Sequence, residues 1–194
     1  MSFLVAGVVL VGCSDKEMIQ PADGGSSFSN QVAAGQLPDV VSLNTARSDP
    51  DAVARDFMTI IESHDAINEA DEWSSVQRAT ELMTPRLAQN SLAYPEALAH
   101  SDWPLWVKAE AVVSPVVIFT SDRRPPDTDV KVMRPVLAQF TIVSSNNSVQ
   151  LAPKQRMHFL TLEKLEGQWT VSVWQAYHIE DNTMPQAGEQ GELS

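Results

Sequence analysis

The apolar residues of this 194-residue chain change rhythm once, from a spacing of three and four to a spacing of two. Asp49-Pro50 places an N-cap acid before a proline at the first helical position, and Val53, Phe57, Ile60, Ile61 and His64 then recur at helical spacing. That pattern predicts an amphipathic helix over 50–64. A second helix is predicted over 72–83, with Trp73, Val76, Ala79, Leu82 and Met83 near one face, interrupted by Thr84-Pro85 before Arg86-Leu87-Ala88. A short third piece is expected near 94–100. From Trp106 onward the segments 107–119, 130–143, 155–165 and 168–177 are rich in Val, Ile, Phe, Thr and Trp, and Glu166-Gly167 forms a tight turn between the last two. In the final strand, strict alternation puts Trp169, Val171, Val173 and Tyr177 on one face and Thr170, Ser172, Trp174, Ala176 and His178 on the other. Helices followed by long antiparallel strands indicate an α+β domain whose sheet curls over the helices.

The ends read differently. Residues 14–48 are rich in Gly, Ser, Asn, Gln, Asp and Pro with no apolar period, which predicts a flexible tether. Residues 180–194 carry Glu180, Asp181, Glu189 and Glu192 with no base, the composition of a disordered acidic tail. Residues 3–11 form an apolar run of signal-peptide length, too short to span a bilayer, followed by small Gly12 and polar Ser14-Asp15. Met1-Ser2 supplies no Lys or Arg for a charged leader. The resulting division is a signal peptide over 1–12, a cysteine and tether over 13–48, one domain over 49–179 and a tail over 180–194. A domain of about 130 residues is large enough to bury a real core.

Leu10-Val11-Gly12-Cys13, which holds the only cysteine, resembles the lipobox of bacterial lipoproteins. The resemblance implies that the Cys13 thiol carries a diacylglycerol, that the peptide bond before it is cut, and that the mature chain begins there, exported and anchored to the extracytoplasmic face of a membrane. Two acyl chains anchor stably where one is marginal. The competing reading of Cys13 is a lone buried thiol after a short strand. A single cysteine allows no intramolecular disulfide and no Cys-based metal site.

Charge narrows the partners. A formal net charge of -12, from 13 basic against 25 acidic residues, argues against nucleic acid, which needs clustered Lys and Arg. The four histidines, at 64, 100, 158 and 178, show no zinc-ligand spacing, and there is no phosphate loop and no G-x-S-x-G. No cofactor is therefore expected beyond the lipid.

The helix, helix, strand-meander order resembles the cone-shaped nuclear-transport-factor-2-like fold. The residues that carry the likeness are His64-Asp65, Arg78-Ala79, the segment from Leu82-Met83-Thr84-Pro85 to Ala88, Trp103, Trp106, and the closing Leu162-Glu163-Lys164-Leu165-Glu166-Gly167-Gln168-Trp169-Thr170-Val171. Within that superfamily it is similar to actinobacterial secreted lipoproteins and to periplasmic domains of conjugation or type IV secretion assembly proteins. The resemblance implies a non-enzymatic binding or assembly role in an envelope complex, and it brings no catalytic motif with it.

Enzymes in the same superfamily use the cone as a pocket, so the polar candidates need weighing. His64-Asp65 could pair base and orienting carboxylate, yet a histidine at a helix end followed by an aspartate that suits a turn is the more economical reading. His158 in its strand, with Trp174 and Tyr177 as walls, is the ligand contact that a pocket would use; a satisfied structural histidine is the commoner outcome. His178 to Asp181 reads as a solvated strand end, and Arg123-Arg124-Pro125-Pro126 as an exposed turn with Asp127 balancing its charge. Trp103-Pro104-Leu105-Trp106 either plugs the open end of the cone or anchors a partner. A cone filled by Phe57, Trp73, Phe140, Phe159 and Trp169 would leave no room for a substrate. The expected function is thus a membrane-anchored binding or assembly factor with an envelope protein as partner. The alternatives are a small-molecule binder or enzyme using Trp103, Trp106, His158, Trp174 or Tyr177, and an immunity or exclusion lipoprotein; a homo-oligomer remains open.

Overall fold

The computed structural model describes residues 27–29, 36–93, 102–120, 124–144 and 154–178. The lipobox with Cys13, the piece at 94–100 with His100, Arg123 and the acidic tail lie outside the described residues. In chain order the elements are β1 (Ser27–Ser29), α1 (Val40–Leu43), α2 (Pro50–Ile61), β2 (His64–Asp65), α3 (Ser74–Ala79), a 3-10 turn (Thr80–Leu82), α4 (Pro85–Ala93), α5 (Trp103–Ala109), β3 (Ala111–Phe119), β4 (Lys131–Ser144), β5 (Gln155–Leu165) and β6 (Gln168–His178). The result is the α+β arrangement expected: helices packed on a curled antiparallel sheet ordered β1-β3-β4-β5-β6, with β2 also paired to β3.

α2 is the helix around which the sheet curls. Asp49 caps it by accepting the Asp51 N–H at 2.9 Å, and Pro50 occupies the first turn. Its Val53, Phe57, Ile60 and Ile61 are wholly or almost wholly buried among Val117, Val136, Leu160, Leu162 and Val171 from β3 to β6. Truncating Phe57 to alanine there should cost about 3–5 kcal/mol. A second cluster sits at the other end of the same inner face, where Trp106 and Ala109 of α5 meet Ala111, Val113, Ala138 and Phe140.

Four expectations need correction. The first helix ends at Ile61, and His64-Asp65 belongs instead to β2, in register with Val113 and Val112. Residues 103–109 are helical, whereas apolar composition alone suggests a strand from 107. Pro104 suits a helical first turn, Trp106 and Ala109 share the buried side, and Glu110 in the left-handed region at φ 48° ends the helix before β3. Regular structure also begins before residue 49: Asp39 and Ser42 form a capping box around α1, and Val40 and Leu43 pack on the main core. Composition hid this because one short turn carries too few apolar residues to show a period.

The fourth correction concerns β6. Leu162 faces Val171 but Thr161 faces Val173, so Ser172 is an extra residue in a β-bulge. The bulge shifts the phase of everything after it. Trp169, Val171 and Trp174 therefore share the inner face, and Val173 and Tyr177 go to the outer one, being 43% and 41% exposed. Strict alternation put Trp174 opposite Trp169 because a one-residue insertion leaves no mark in the sequence.

Candidate functional site

α2 ends on a carboxylate. Glu62 is fully buried at the negative end of the helix, where an acid is unfavourable unless it is paired. Two residues of β5 supply the partners. Arg156 Nη1 donates to the two Glu62 oxygens at 3.3 and 3.2 Å, and His158 Nε2 lies 3.0 Å from Oε1, off the line of its N–H. Arg156 also lies over the Phe140 ring, 5.5 Å from its centroid. On the far side of the imidazole, the Trp174 indole N–H donates to His158 Nδ1 at 3.1 Å, and the two rings stack at 27°.

An indole nitrogen only donates, so His158 Nδ1 must accept, and a neutral imidazole then carries its proton on Nε2, facing Glu62. Nδ1 is thereby committed, while Nε2 is enclosed against the Glu62 carboxylate without a hydrogen bond to it. His158, fully buried, contacts α2, β5 and β6, and its lone-pair nitrogen, Nδ1, is occupied by the Trp174 N–H. Of the candidates read from sequence, this cluster brings together His158 and Trp174. Tyr177 is not part of it: it lies on the outer face against Phe159, with ring centroids 5.4 Å apart.

The chain then turns at His64, which is fully buried and packs against the rings of both Trp103 and Trp106, at centroid distances of 6.0 and 5.2 Å, the two indoles also meeting edge-on at 6.5 Å. Trp106 is 1% exposed, so its ring belongs to the core and not to a partner. Asp65 caps the following turn, accepting from Ile67 N–H at 3.0 Å and from the Asn68 side chain at 2.7 Å. Glu69 accepts the Asp65 N–H at 2.8 Å and pairs with Arg78. Burial holds the Glu69 carboxyl above the usual carboxylate range, against the pull of the Asp65 N–H and of Arg78. Arg78 also donates to Ser63 O at 2.7 Å, tying α3 to the end of α2 and meeting a carbonyl beyond the helix terminus. Asp65 is thus a turn residue, as the sequence favours.

Glu62, Arg156 and Glu69 were not singled out from the sequence, and Arg78 was named only as part of the fold likeness. One signal was present: Arg156, His158, Leu160 and Leu162 alternate along β5, so a charged residue shares a face with two core leucines. The Asp127 expectation also changes. Instead of balancing the neighbouring arginines alone, it receives a bidentate pair from the buried Arg134, with Nη1 to Oδ1 at 2.8 Å and Nη2 to Oδ2 at 2.9 Å, while Arg134 Nε pairs with Asp51 at the start of α2. These bonds from Arg134 hold the Asp127 carboxyl below its ordinary value.

The inner face is committed to packing and to these pairs, which leaves the outer one. Ile118 faces Leu137, Leu137 faces Met157, and Met157 faces Tyr177, an apolar row across β3 to β6. Pro135 and Phe159 form the neighbouring pair. Both core clusters, with the helices that contribute to them, lie on the other side of the sheet. Among the described residues no group of three or more His, Cys, Asp or Glu is placed to hold a metal ion, and no helix is long and apolar enough to cross a membrane. No family model, curated protein or solved structure matches this chain.

Proposed function

We propose that the protein is an exported lipoprotein, anchored through Cys13, whose cone-like domain is a non-enzymatic binding module in a cell-envelope complex. The observation that carries the binding role is the outer sheet face, where Ile118, Leu137, Met157 and Tyr177 run as an apolar row across four strands while the helices pack on the opposite side. Tyr177 is 41% exposed and Ile118, Leu137 and Met157 are half-buried, so the row is partly open to a protein partner. The lipobox resemblance of Leu10-Val11-Gly12-Cys13 supports the address, and the curled sheet over α2 is compatible with the nuclear-transport-factor-2-like likeness and the conjugation or secretion role it implies.

The buried chemistry favours binding over catalysis. Inside the curl Glu62 pairs with Arg156 and Glu69 with Arg78, and Tyr177 lies on the outer face against Phe159, away from His158. A photocrosslinking residue at Leu137, in full-length protein in membranes of the native host, should capture an envelope protein, and Leu137→Glu should abolish its co-purification without lowering the melting temperature. Membranes that yield no crosslinked envelope component, or a partner retained by Leu137→Glu, would overturn the docking role.

A further inference from the structure

Among the described residues the methionines fall into two sets. Met58 of α2 is fully buried and Met83, between the 3-10 turn and α4, is 5% exposed, so both thioethers lie in the main core. Met133 of β4 and Met157 of β5 are half-buried, and alternation sets both on the outer face with Leu137. Met157 faces Leu137 on one side and Tyr177 on the other, so it sits inside the apolar row, whereas Met133 faces Thr161, two rows away.

A thioether is oxidised where an oxidant can reach its sulfur, and the product, a sulfoxide, is polar. A hydroperoxide transfers its hydroxyl oxygen: the S–O bond forms as the O–O bond breaks, the sulfur gives up two electrons, and the hydroxyl proton leaves with the other oxygen as water or an alcohol. In the free chain a sulfoxide at half-buried Met157 keeps its water, and the fold is undisturbed. Under a partner it loses that water, and Ile118 and Leu137 of the same row have no donor to offer it. The same oxygen on Met58 or Met83 would enter the core, where burial shields both sulfurs.

We propose that Met157 is an oxidation site for hydroperoxides and that its sulfoxide closes the outer row to a protein partner. The site follows from burial and register, and only its effect on docking rests on the proposed binding role. The change is reversible, because a sulfoxide reductase takes two electrons from a dithiol, returns the sulfur to the thioether and releases the oxygen as water.

Hydrogen peroxide on the full-length protein, followed by peptide mass mapping, tests the site. Met133 and Met157 should gain oxygen before Met58 and Met83, without a fall in melting temperature; a Met157 that reacts no faster than the two core methionines would overturn it. The photocrosslinking residue at Leu137, in membranes of the native host, tests the consequence. Peroxide should remove most of the cross-link, and methionine sulfoxide reductase with dithiothreitol should restore it. Met157→Leu, read against its own untreated sample, should show no loss, while Met133→Leu should lose the cross-link as the parent does. A cross-link undiminished once Met157 is oxidised, or an equal loss in Met157→Leu, would overturn the closing of the row. Membranes that give no cross-link before peroxide would overturn the docking role and that closing together, and the peptide map would still decide the oxidation site.

Discussion

Trp174 does the work of two residues: its ring packs edge-on against Phe57 at 5.6 Å, and its N–H fixes which nitrogen of His158 carries the proton. Trp174→Phe keeps most of the packing and leaves a buried acceptor unmet, so a loss of about 1–3 kcal/mol in urea unfolding is expected. Glu62→Ala removes the acceptor shared by Arg156 and His158 and should cost about 3–5 kcal/mol, the usual penalty for breaking a buried pair on one side. Two other carboxylates give pH dependence of opposite sign. Burial raises the Asp56 pKa above its ordinary 3.8, against the charge of Arg55. The folded state therefore holds this proton more tightly than the unfolded one, and the associated stability, complete below pH 3.8, is lost as pH rises through the raised value. Asp56→Asn should make the decline of unfolding free energy across weak acid shallower. Asp127, held low by Arg134, contributes stability above pH 3.8 that disappears as pH falls through its depressed value. The stability difference between Asp127→Asn and the parent should accordingly close in strong acid.

The element scale shows what alternation can and cannot reveal. β4 and β5 follow their apolar pattern almost residue for residue, and the Glu166-Gly167 turn joins β5 to β6 where the composition indicates. Both turn residues have positive φ, 50° and 82°, as a two-residue hairpin of this hand requires. Glutamate is a poor residue for the first position, so Glu166→Asn should raise the unfolding free energy by about 0.5–1 kcal/mol. Where the reading fails, a local device intervenes. The Ser172 bulge moves Trp174 inward and Tyr177 outward, and Glu110 in a left-handed conformation turns an apolar run into a helix followed by a strand. The buried pairs were still less legible, since Glu62 meets Arg156 across 94 positions of sequence. No periodicity reports a contact of that separation.

At the scale of the molecule, the fold makes one surface available by spending the other. The helices fill the inner face, where Glu62 pairs with Arg156 and Glu69 with Arg78, and the outer face carries the row proposed for docking. The α+β architecture was readable because each long segment keeps a single period, whereas the outer apolar row emerges only when register lines up Ile118, Leu137, Met157 and Tyr177 from four separate strands. Lipid attachment at Cys13 would hold that surface beside a membrane, and this is the claim on which the proposed role depends. The most direct test is the intact mass of protein extracted from membranes of its native host, beside a Cys13→Ala version. The account predicts a chain that begins at Cys13 and carries acyl groups, with the variant unprocessed and released from the membrane; an unacylated chain retaining residues 1–12 would contradict it.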